Sequence, residues 1–259
     1  MKENEIIDAH IHLDQYNDNE FLDFMEKARA VHCKRLIAVG SNLLSCKRTL
    51  ELSRRYEEVI PAFGFHPEQK LPETEEMDEL FSFMTKNINE ICAIGEVGLP
   101  TYLKLDDPNL NLFPYIEILN RFLHFGLKWD KPIALHAVYN EAETVCDLLV
   151  EKNIKKAHFH WFKGNMSTMK RMANRGYMIS VTPEVVYREK IQEIAQYYPL
   201  ELFMVETDGP WPFLDRFVGR RTHPEMIHES IQTIAHLKRM NVDYVYNQIY
   251  KNTEAFYSI

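Results

Sequence analysis

The sequence predicts a single α/β domain with the architecture of a (β/α)8 TIM barrel. Eight short apolar or alternating segments are separated by stretches whose apolar residues recur at helical spacing. Eight units in 259 residues amount to about 32 residues each, close to the ~30 of one βαβ element. No Gly/Ser-rich linker or block of charge divides the chain, so one barrel domain is expected over residues 1–259.

The predicted strands and helices alternate in order along the chain. The strands are expected at 5–9, 35–40, 59–64, 91–96, 132–136, 157–160, 177–181 and 202–206. The helices between them are expected at 21–31, 43–55, 75–87, 112–127, 141–151, 166–174 and 184–197. Two further patterns, 225–240 and 243–257, indicate the eighth helix and an added one. An open doubly wound sheet is less favoured, because no GxGxxG follows the first strand and the Walker pattern is missing.

Composition and charge exclude several classes of protein. Apolar residues make up 46% and charged residues 26% of the chain, a balance typical of a globular protein. The 30 Lys+Arg against 38 Asp+Glu give a net charge of 30 − 38 = −8, which argues against a broad basic surface for nucleic acid. No run approaches the ~18 apolar residues of a membrane span, and the first residues lack the apolar core of a signal peptide. We therefore expect a cytoplasmic protein without a membrane partner.

The cysteines give a weaker indication of the same compartment. They are dispersed along the chain at Cys33, Cys46, Cys92 and Cys146. Because no CxxC pair exists, a zinc ribbon and a thioredoxin-type redox pair are excluded, and separate core thiols in a reducing cytoplasm are the better interpretation.

Residues able to bind a metal ion gather where predicted strands end. They are His10, His12, Glu96, His136, His160 and Asp208. Barrel active sites lie at the C-terminal ends of the strands. Because side chains alternate along a strand, the two imidazoles of a His-x-His pair can reach one ion. His10 and His12 alone could be a chance pair, but ligand-type residues at four other strand ends favour a metal site.

The other seven histidines lie outside this set of ligand candidates. His158 shares a strand face with His160, and it is either a residue of the core, a neighbour of the ligands or a ligand itself. His66, in Gly64-Phe-His-Pro67, is expected to contact substrate, with a turn histidine held by Pro67 as the alternative. The histidines at 32, 124, 223, 228 and 236 fall in helices or the C-terminal region, where a solvated or hydrogen-bonded histidine is the default.

Taken together, the motifs resemble the TatD family of metal-dependent hydrolases and deoxyribonucleases, which have barrels of the metallo-dependent hydrolase type within the amidohydrolase superfamily. The matching pieces, in chain order, are Asp8-Ala-His-Ile-His-Leu-Asp14 for D-x-H-x-H-L-D, Gly64-Phe-His-Pro67 for G-x-H-P, Ile-Gly-Glu96-Val-Gly-Leu for I-G-E-x-G-L, His160-Trp-Phe-Lys-Gly for H-C-F-x-G, Glu206-Thr-Asp-Gly-Pro for E-T-D-x-P, and Asn252-Thr-Glu-Ala-Phe for the usual C-terminal ending. Six pieces in the same order, spread over most of the chain, make the resemblance specific.

The resemblance implies a binuclear metal centre. One ion would be held by His10, His12 and Asp208. The other would be held by His136 and His160, and Glu96 would bridge the two ions. A bridging Glu separates the chain from superfamily relatives that use a carbamylated lysine. Imidazole-rich ligation suits Zn, Mn, Fe, Ni or Co, while Mg fits less well.

The resemblance also implies hydrolysis of a phosphodiester, most simply in DNA. Asp208 is the natural proton acceptor from the attacking water. The phosphate contacts are expected from His66, Arg221 and His223, and an acidic chain should favour small or single-stranded nucleic acid. The sequence departs from the family at Gly98-Leu-Pro-Thr-Tyr102, Ala137-Val-Tyr-Asn-Glu141 and Arg221-Thr-His-Pro224, all of which lie beside substrate in the family picture.

Two other functions stay open because of these departures. One is a metal-dependent hydrolase of another ester or amide, such as an aminoacyl ester or a lactone. The other is a catalytically inactive barrel that retains the metal, against which the intact ligand set argues, since structural zinc sites are usually closed and Cys-rich. The sequence gives no indication of the oligomeric state.

Overall fold

A computed structural model describes residues 4–259 and shows one sheet of eight parallel strands. The strands are β1 (Ile6–Ile11), β2 (Cys33–Gly40), β3 (Val59–Phe63), β4 (Ala93–Gly98), β5 (Ile133–His136), β6 (Ala157–Phe159), β7 (Met178–Val181) and β8 (Phe203–Val205). They pair in sequence order from β1 to β8. Past the end of β8, Asp208 N–H donates to the His10 carbonyl at 2.9 Å, and His12 N–H donates to the Gly209 carbonyl at 2.8 Å. These bonds bring the last strand back to the first, and the predicted (β/α)8 barrel is confirmed.

Helices connect the strands in the order that a barrel requires. They are α1 (Asp18–Ala30), α2 (Leu43–Arg55), α3 (Thr74–Lys86), α4 (Thr101–Asp106), α5 (Phe113–Trp129), α6 (Asn140–Glu151), α7 (Met166–Asn174), α8 (Glu189–Tyr197), α9 (Met226–Lys238) and α10 (Val242–Tyr257). The added C-terminal helix of the sequence prediction is α10. Residues 1–3, which the expected domain of 1–259 includes, lie outside the described residues.

The structure corrects the predicted helices in two places. The sequence pattern gave no helix between β4 and α5, where the short α4 lies. The helix expected over 184–197 is two elements, a 3-10 helix at Pro183–Val186 and then α8. Two β-branched valines in succession, Val185 and Val186, disfavour continuation of the first turn. The Glu184 side chain is also held inward by contacts from other elements, described below.

Four helices begin after an asparagine that caps them. The side chains of Asn17, Asn42, Asn165 and Asn241 each accept a hydrogen bond from a backbone N–H in the first turn, of α1, α2, α7 and α10 respectively. An Asn at this position satisfies one of the four N–H groups that a helix start leaves unpaired, and replacing it with Ala typically costs about 0.5–2 kcal/mol.

The alternation of side chains along the strands divides the core into two layers. In β2, Leu36 and Ala38 pack into the large layer between the sheet and the helices. Ile37 and Val39 belong to a second cluster, made of residues from several strands, which Tyr257 of α10 joins. Burying a Leu, Ile or Val side chain contributes about 1.5–3 kcal/mol, so the strands are fixed from both faces.

Two further expectations concern the membrane and the thiols. Within residues 4–259, no helix combines the length and apolarity that a membrane crossing requires. The four cysteines are all free thiols. The cytoplasmic location stays a prediction from the sequence.

Candidate metal centre and active site

The metal-binding candidates meet at the mouth formed by the C-terminal ends of the strands. This mouth holds a cavity of about 900 Å³. Its lining includes His12, Glu96, His136, His160 and Asp208. His10 is fully buried beside them, with its ring stacked on that of His160 at 3.9 Å between centroids. The structure therefore brings all six residues together from five separate parts of the chain.

Glu96, fully buried at the end of β4, lies at the centre of the group. Its Oε2 atom is 3.1 Å from His10 Nε2 and 3.2 Å from His12 Nε2. Its Oε1 atom is 2.6 Å from His160 Nε2 and 2.9 Å from His136 Nδ1. Each carboxylate oxygen thus has its own pair of imidazoles.

A third residue lies beside each pair of imidazoles. Asp208 Oδ1 lies 3.4 Å from His12 Nε2 and 3.6 Å from His10 Nε2. His66 Nε2 lies 3.3 Å from Glu96 Oε1. We call His10, His12 and Asp208 the Oε2 side, and His66, His136 and His160 the Oε1 side. His66, expected from the sequence to contact substrate, is thus also within reach of the ligand cluster.

The local backbone explains how Glu96 and Asp208 reach this position. Gly95, just before Glu96, allows β4 to approach β5, because a Cβ there would lie 2.6 Å from Ala134 Cβ. Asp208 adopts a left-handed backbone conformation with φ of +49°, and Trp161 does so with φ of +36°. Asp tolerates this region better than most residues, whereas a bulky Trp rarely adopts it. Such conformations persist where surrounding contacts over-determine them, as they do at this mouth.

Asp8, two residues before His10 on β1, links β1 to the segment that follows β8. Its carboxyl oxygens accept hydrogen bonds from Thr207 N–H at 2.9 Å and from Thr207 Oγ1 at 2.5 Å. Burial raises the pKa of this carboxyl to about 8. Asp8 therefore holds Asp208, one residue after Thr207, next to the histidines of β1.

Two further carboxylates on the Oε1 side were not predicted from the sequence. Glu68 Oε1 is 3.2 Å from His136 Nε2, and Glu68 also accepts hydrogen bonds from two backbone N–H groups of α4. Glu206 Oε1 is 3.5 Å from His160 Nδ1 and accepts from Trp161 N–H at 2.6 Å. Glu206 could have been predicted from the sequence, because it lies at a strand end in Glu-Thr-Asp. Glu68, in a loop, offered none.

The carboxylates and imidazoles shift one another's proton affinities. Burial alone would raise the pKa of Glu96, but the adjoining imidazoles, His160 first, hold it well below its usual range. Burial of Asp208 is likewise outweighed by His12, and its pKa is lowered. The pKa of His12, which burial would lower, is raised to about 10 by Asp208 and Glu96. Both carboxylates are therefore ionised at neutral pH, and a divalent cation binding here would displace protons.

The donor set fits divalent metal ions. Within residues 4–259, three groups of ligand atoms lie close enough together to hold an ion: His10–His12–Glu96, His10–His160–Glu206 and His66–Glu96–His136. Asp208 Oδ1 is buried and makes no hydrogen bond of good geometry among the described residues, since the His12 and His10 imidazoles lie 3.4 and 3.6 Å away, and a divalent cation binding here would offset the cost of that burial. Imidazole nitrogens and carboxylate oxygens without thiolates suit Zn, Mn, Fe, Ni or Co.

His158 belongs to the core and does not join the cluster. It is fully buried, with Nδ1 2.7 Å from the Tyr257 hydroxyl and Nε2 2.6 Å from Ser180 Oγ. Both ring nitrogens are thus occupied. Ser180 Oγ in turn donates to Glu206, and His158 Nε2 lies 4.0 Å from the same carboxylate, so His158 borders the ligand cluster beside Glu206.

Two of the three expected phosphate contacts lie away from the cavity. Among the described residues that line it, neither Arg221 nor His223 is present. The Arg221 guanidinium pairs with Glu20 and packs over the Tyr16 ring. The His223 ring lies 3.2 Å from the Phe24 carbonyl and accepts from a backbone N–H. The geometry gives no support to their predicted role with substrate.

The cations that do line the cavity are Lys163 and Arg188, which the sequence reasoning did not single out. Both face Glu184, at 3.6 Å for Lys163 Nζ and 3.1 Å for Arg188 Nε. The Trp161 indole N–H donates to the same carboxylate at 2.7 Å. Lys163 could have been noticed, because it is the variable residue of the motif that begins at His160. Glu184 and Arg188 lie in no motif, so the sequence offered no signal for them.

A parallel eight-stranded barrel with imidazoles and carboxylates at its mouth defines the class of protein: a metal-dependent hydrolase with the amidohydrolase type of fold. The chain belongs to the TatD family, because the family model described as TatD related DNase matches residues 7–258. The resemblance found in the sequence motifs is confirmed.

Individual relatives agree over nearly the whole chain. A Haemophilus influenzae protein, named as an uncharacterized metal-dependent hydrolase, is 38% identical over 255 residues and covers 98% of this chain and 100% of its own. The human deoxyribonuclease TATDN3 is 26% identical, over 93% of this chain and 90% of its own. The crystal structure of YjjV, a TatD homolog from Escherichia coli K12, matches with a TM-score of 0.87 at 22% identity, over 98% of both chains. That structural likeness bears on the fold alone.

Proposed function

We propose that the protein is a deoxyribonuclease that hydrolyses phosphodiesters with two divalent metal ions. The observation that carries this proposal is the position of Glu96, whose two oxygens face two separate pairs of imidazoles. A carboxylate placed in this way is suited to share its charge between two cations. The human relative named as a deoxyribonuclease supports the substrate class.

In this proposal each side of the site holds one ion. His10, His12 and Asp208 hold the first, His136 and His160 hold the second, and Glu96 is shared. The ions are expected to be Zn, Mn, Fe, Ni or Co, with Mg less favoured. When bound, such ions make water a nucleophile at neutral pH and offset the negative charge of a phosphodiester.

The chain's own residues supply proton transfer and substrate contact. Asp208 lines the cavity and is held ionised beside His12, so it can accept a proton from the attacking water. His66 also lines the cavity and is the least buried of the Oε1 side, with 23% of its side chain exposed. It is therefore the imidazole best placed to contact the substrate phosphate.

The proposed substrate is a small or single-stranded nucleic acid. A cavity of about 900 Å³ at the end of a barrel admits a strand end or a flexible strand more readily than an intact duplex. The net charge of −8 is consistent with binding in a pocket and not along a basic track. A cytoplasmic location belongs to the same proposal.

The experiment compares ester classes on metal-loaded protein. Single-stranded DNA, bis(p-nitrophenyl) phosphate and p-nitrophenyl acetate are assayed side by side with each divalent metal. We expect hydrolysis of both phosphodiesters, lost with a chelator and restored by metal. Cleavage of the acetate alone would replace the proposal with a hydrolase of another ester. Turnover of none of the three, with metal bound, would indicate an inactive metal-binding barrel.

A further inference from the structure

A second polar cluster lies on the cavity wall, apart from the metal-binding residues. We call Trp161, Lys163, Glu184 and Arg188 the cationic cluster. Glu184 is its hub, since its carboxylate receives the Trp161 indole N–H at 2.7 Å and faces Lys163 Nζ at 3.6 Å and Arg188 Nε at 3.1 Å. One carboxylate is therefore divided among three donors.

The cationic cluster carries an excess of positive charge. One lysine and one arginine against one carboxylate leave a formal charge of +1. The other residues with a formal charge among the described lining, Glu68, Glu96 and Asp208, are all acidic. The lysine and arginine side chains among the described lining are thus confined to one place on the cavity wall.

Lys163 is the part of the cluster that most needs another partner. Only 9% of the residue is exposed, although an ammonium carries three hydrogen-bond donors. Its hydrogen bond to the Tyr102 hydroxyl, 3.3 Å long, is to a neutral group, and its ammonium lies 4.1 Å from the centre of the Trp161 ring. A buried cation whose partner carboxylate is shared is costly to maintain, and an anion entering the cavity would offset that cost.

The cluster is separate from the position where a phosphodiester would be cleaved. The Tyr102 ring lies between them: its hydroxyl contacts Lys163, and its ring centroid is 6.0 Å from that of His136 on the Oε1 side. An anion held by Lys163 would lie at the hydroxyl end of Tyr102, whereas His136 lies beside its ring, so the two positions can take two groups of one substrate.

We propose that the cationic cluster binds a second phosphate group of the substrate, next to the base of the nucleotide that carries it. Trp161 supplies the aromatic face, with Trp211 at 5.8 Å between ring centroids beside it at the cavity rim. Trp161 stands where the family motif has Cys, and Lys163 fills its variable position, so the motif prescribes neither residue. The inference rests on the proposed function, because it names a further part of the same substrate.

The test compares ligands that differ only in the number of phosphates. Binding of thymidine 3′,5′-bisphosphate and of the 5′- and 3′-monophosphates to the metal-loaded protein is measured by calorimetry. We expect the bisphosphate to bind roughly ten- to 150-fold more tightly than either monophosphate, the range expected for one added charged hydrogen bond. Lys163→Met should remove this advantage, Lys163→Arg should retain most of it, and Arg188→Gln should reduce it.

Lys190→Met is the matched control, since Lys190 is an exposed lysine in α8, two residues after Arg188, and does not line the cavity. It should leave the bisphosphate advantage unchanged. Equal affinity of the wild type for all three ligands, or an advantage that survives in both Lys163→Met and Arg188→Gln, would overturn the subsite. If the binding pattern holds but no phosphodiester is hydrolysed, the proposed function fails while the subsite stands. If phosphodiesters are hydrolysed but the bisphosphate has no advantage in binding, the proposed function stands and the subsite fails.

Discussion

The two sides of Glu96 are built in different ways. On the Oε2 side, His10 and His12 come from one strand, two residues apart, and Asp208 joins them from beyond the end of β8. On the Oε1 side, the three imidazoles follow three different strands, β3, β5 and β6. Two of these three imidazoles each have a carboxylate of their own besides Glu96, whereas His10 and His12 share Asp208.

This difference predicts which substitutions should reduce metal binding and activity most. On the Oε2 side, the negative charge beyond the shared Glu96 comes from Asp208, which is also the proposed proton acceptor. On the Oε1 side, Glu68 supports His136 and Glu206 supports His160. We therefore expect substitutions at the shared carboxylate and on the Oε2 side to have larger effects than those on the Oε1 side.

Glu96→Gln should have the largest effect, because it acts on both sides at once. Glutamine keeps the shape of the side chain but removes the charge shared between the two ions. We expect one of the two ions to be lost and hydrolysis to fall by orders of magnitude, as measured by metal analysis and the phosphodiester assay. Glu193→Gln, an exposed glutamate on α8, is the control. Full activity of Glu96→Gln with both ions retained would refute the shared role.

Asp208→Asn should nearly abolish turnover. The amide supplies neither charge nor basicity, and loss of a general base alone typically costs about 10²–10⁴-fold in rate. Because the pKa of Asp208 is lowered, the wild-type carboxylate is ionised at neutral pH and loses its function only as the pH falls. The variant should therefore change the acid side of the pH–rate profile or the metal content. Asp215→Asn, exposed near the mouth, should change neither.

His66→Ala should have an intermediate effect that is different in kind. Losing one hydrogen bond to a charged phosphate corresponds to roughly ten- to 150-fold in kcat/KM. Both metal ions should stay bound and the pH profile should keep its shape. His236→Ala, on the exposed face of α9, controls for the loss of a histidine. Should His66→Ala release a metal ion, His66 is a ligand of the Oε1 side, as its 3.3 Å distance to Glu96 allows.

Glu206→Gln should have the smallest effect, confined to the Oε1 side. Replacing a carboxylate that supports a metal-binding histidine typically costs about 10–100-fold in metal affinity. We expect weaker binding of one ion, measured by competition with a chelator, and activity that recovers when more metal is added. A variant with a lower melting temperature but unchanged metal affinity would show that Glu206 only stabilises the fold.

The barrel and the Oε2 side follow from local patterns in the sequence. Strand periodicity and helix spacing repeat eight times, and the elements they specify depend on residues close together in the chain. The pairing of His10 and His12 is of the same kind, since alternation along one strand places both side chains on one face. The prediction of a long helix over 184–197 failed because contacts of Glu184 with Trp161 and Lys163, which are distant in the chain, decide that segment.

The cations that line the cavity could not be predicted from such local patterns. Arg221 and His223 were singled out because they stand in a motif, yet one pairs with a surface glutamate and the other with a backbone carbonyl. Lys163 and Arg188 line the cavity instead, 25 residues apart in the sequence. No periodicity or spacing relates them, because they meet only through Glu184.

The sequence by itself determined the order of the elements, the closed parallel barrel and the six metal-binding candidates at strand ends. Each of these depends on short-range periodicity combined with the rule that parallel strands end on the same side. Only the tertiary structure decided which carboxylates lie beside the histidines and which cations face the cavity. It also decided that both ring nitrogens of His158 are hydrogen-bonded, to Tyr257 and Ser180. The reason is physical: these contacts join side chains from loops and helices brought together when the barrel closes, and their energies depend on burial that no local pattern encodes.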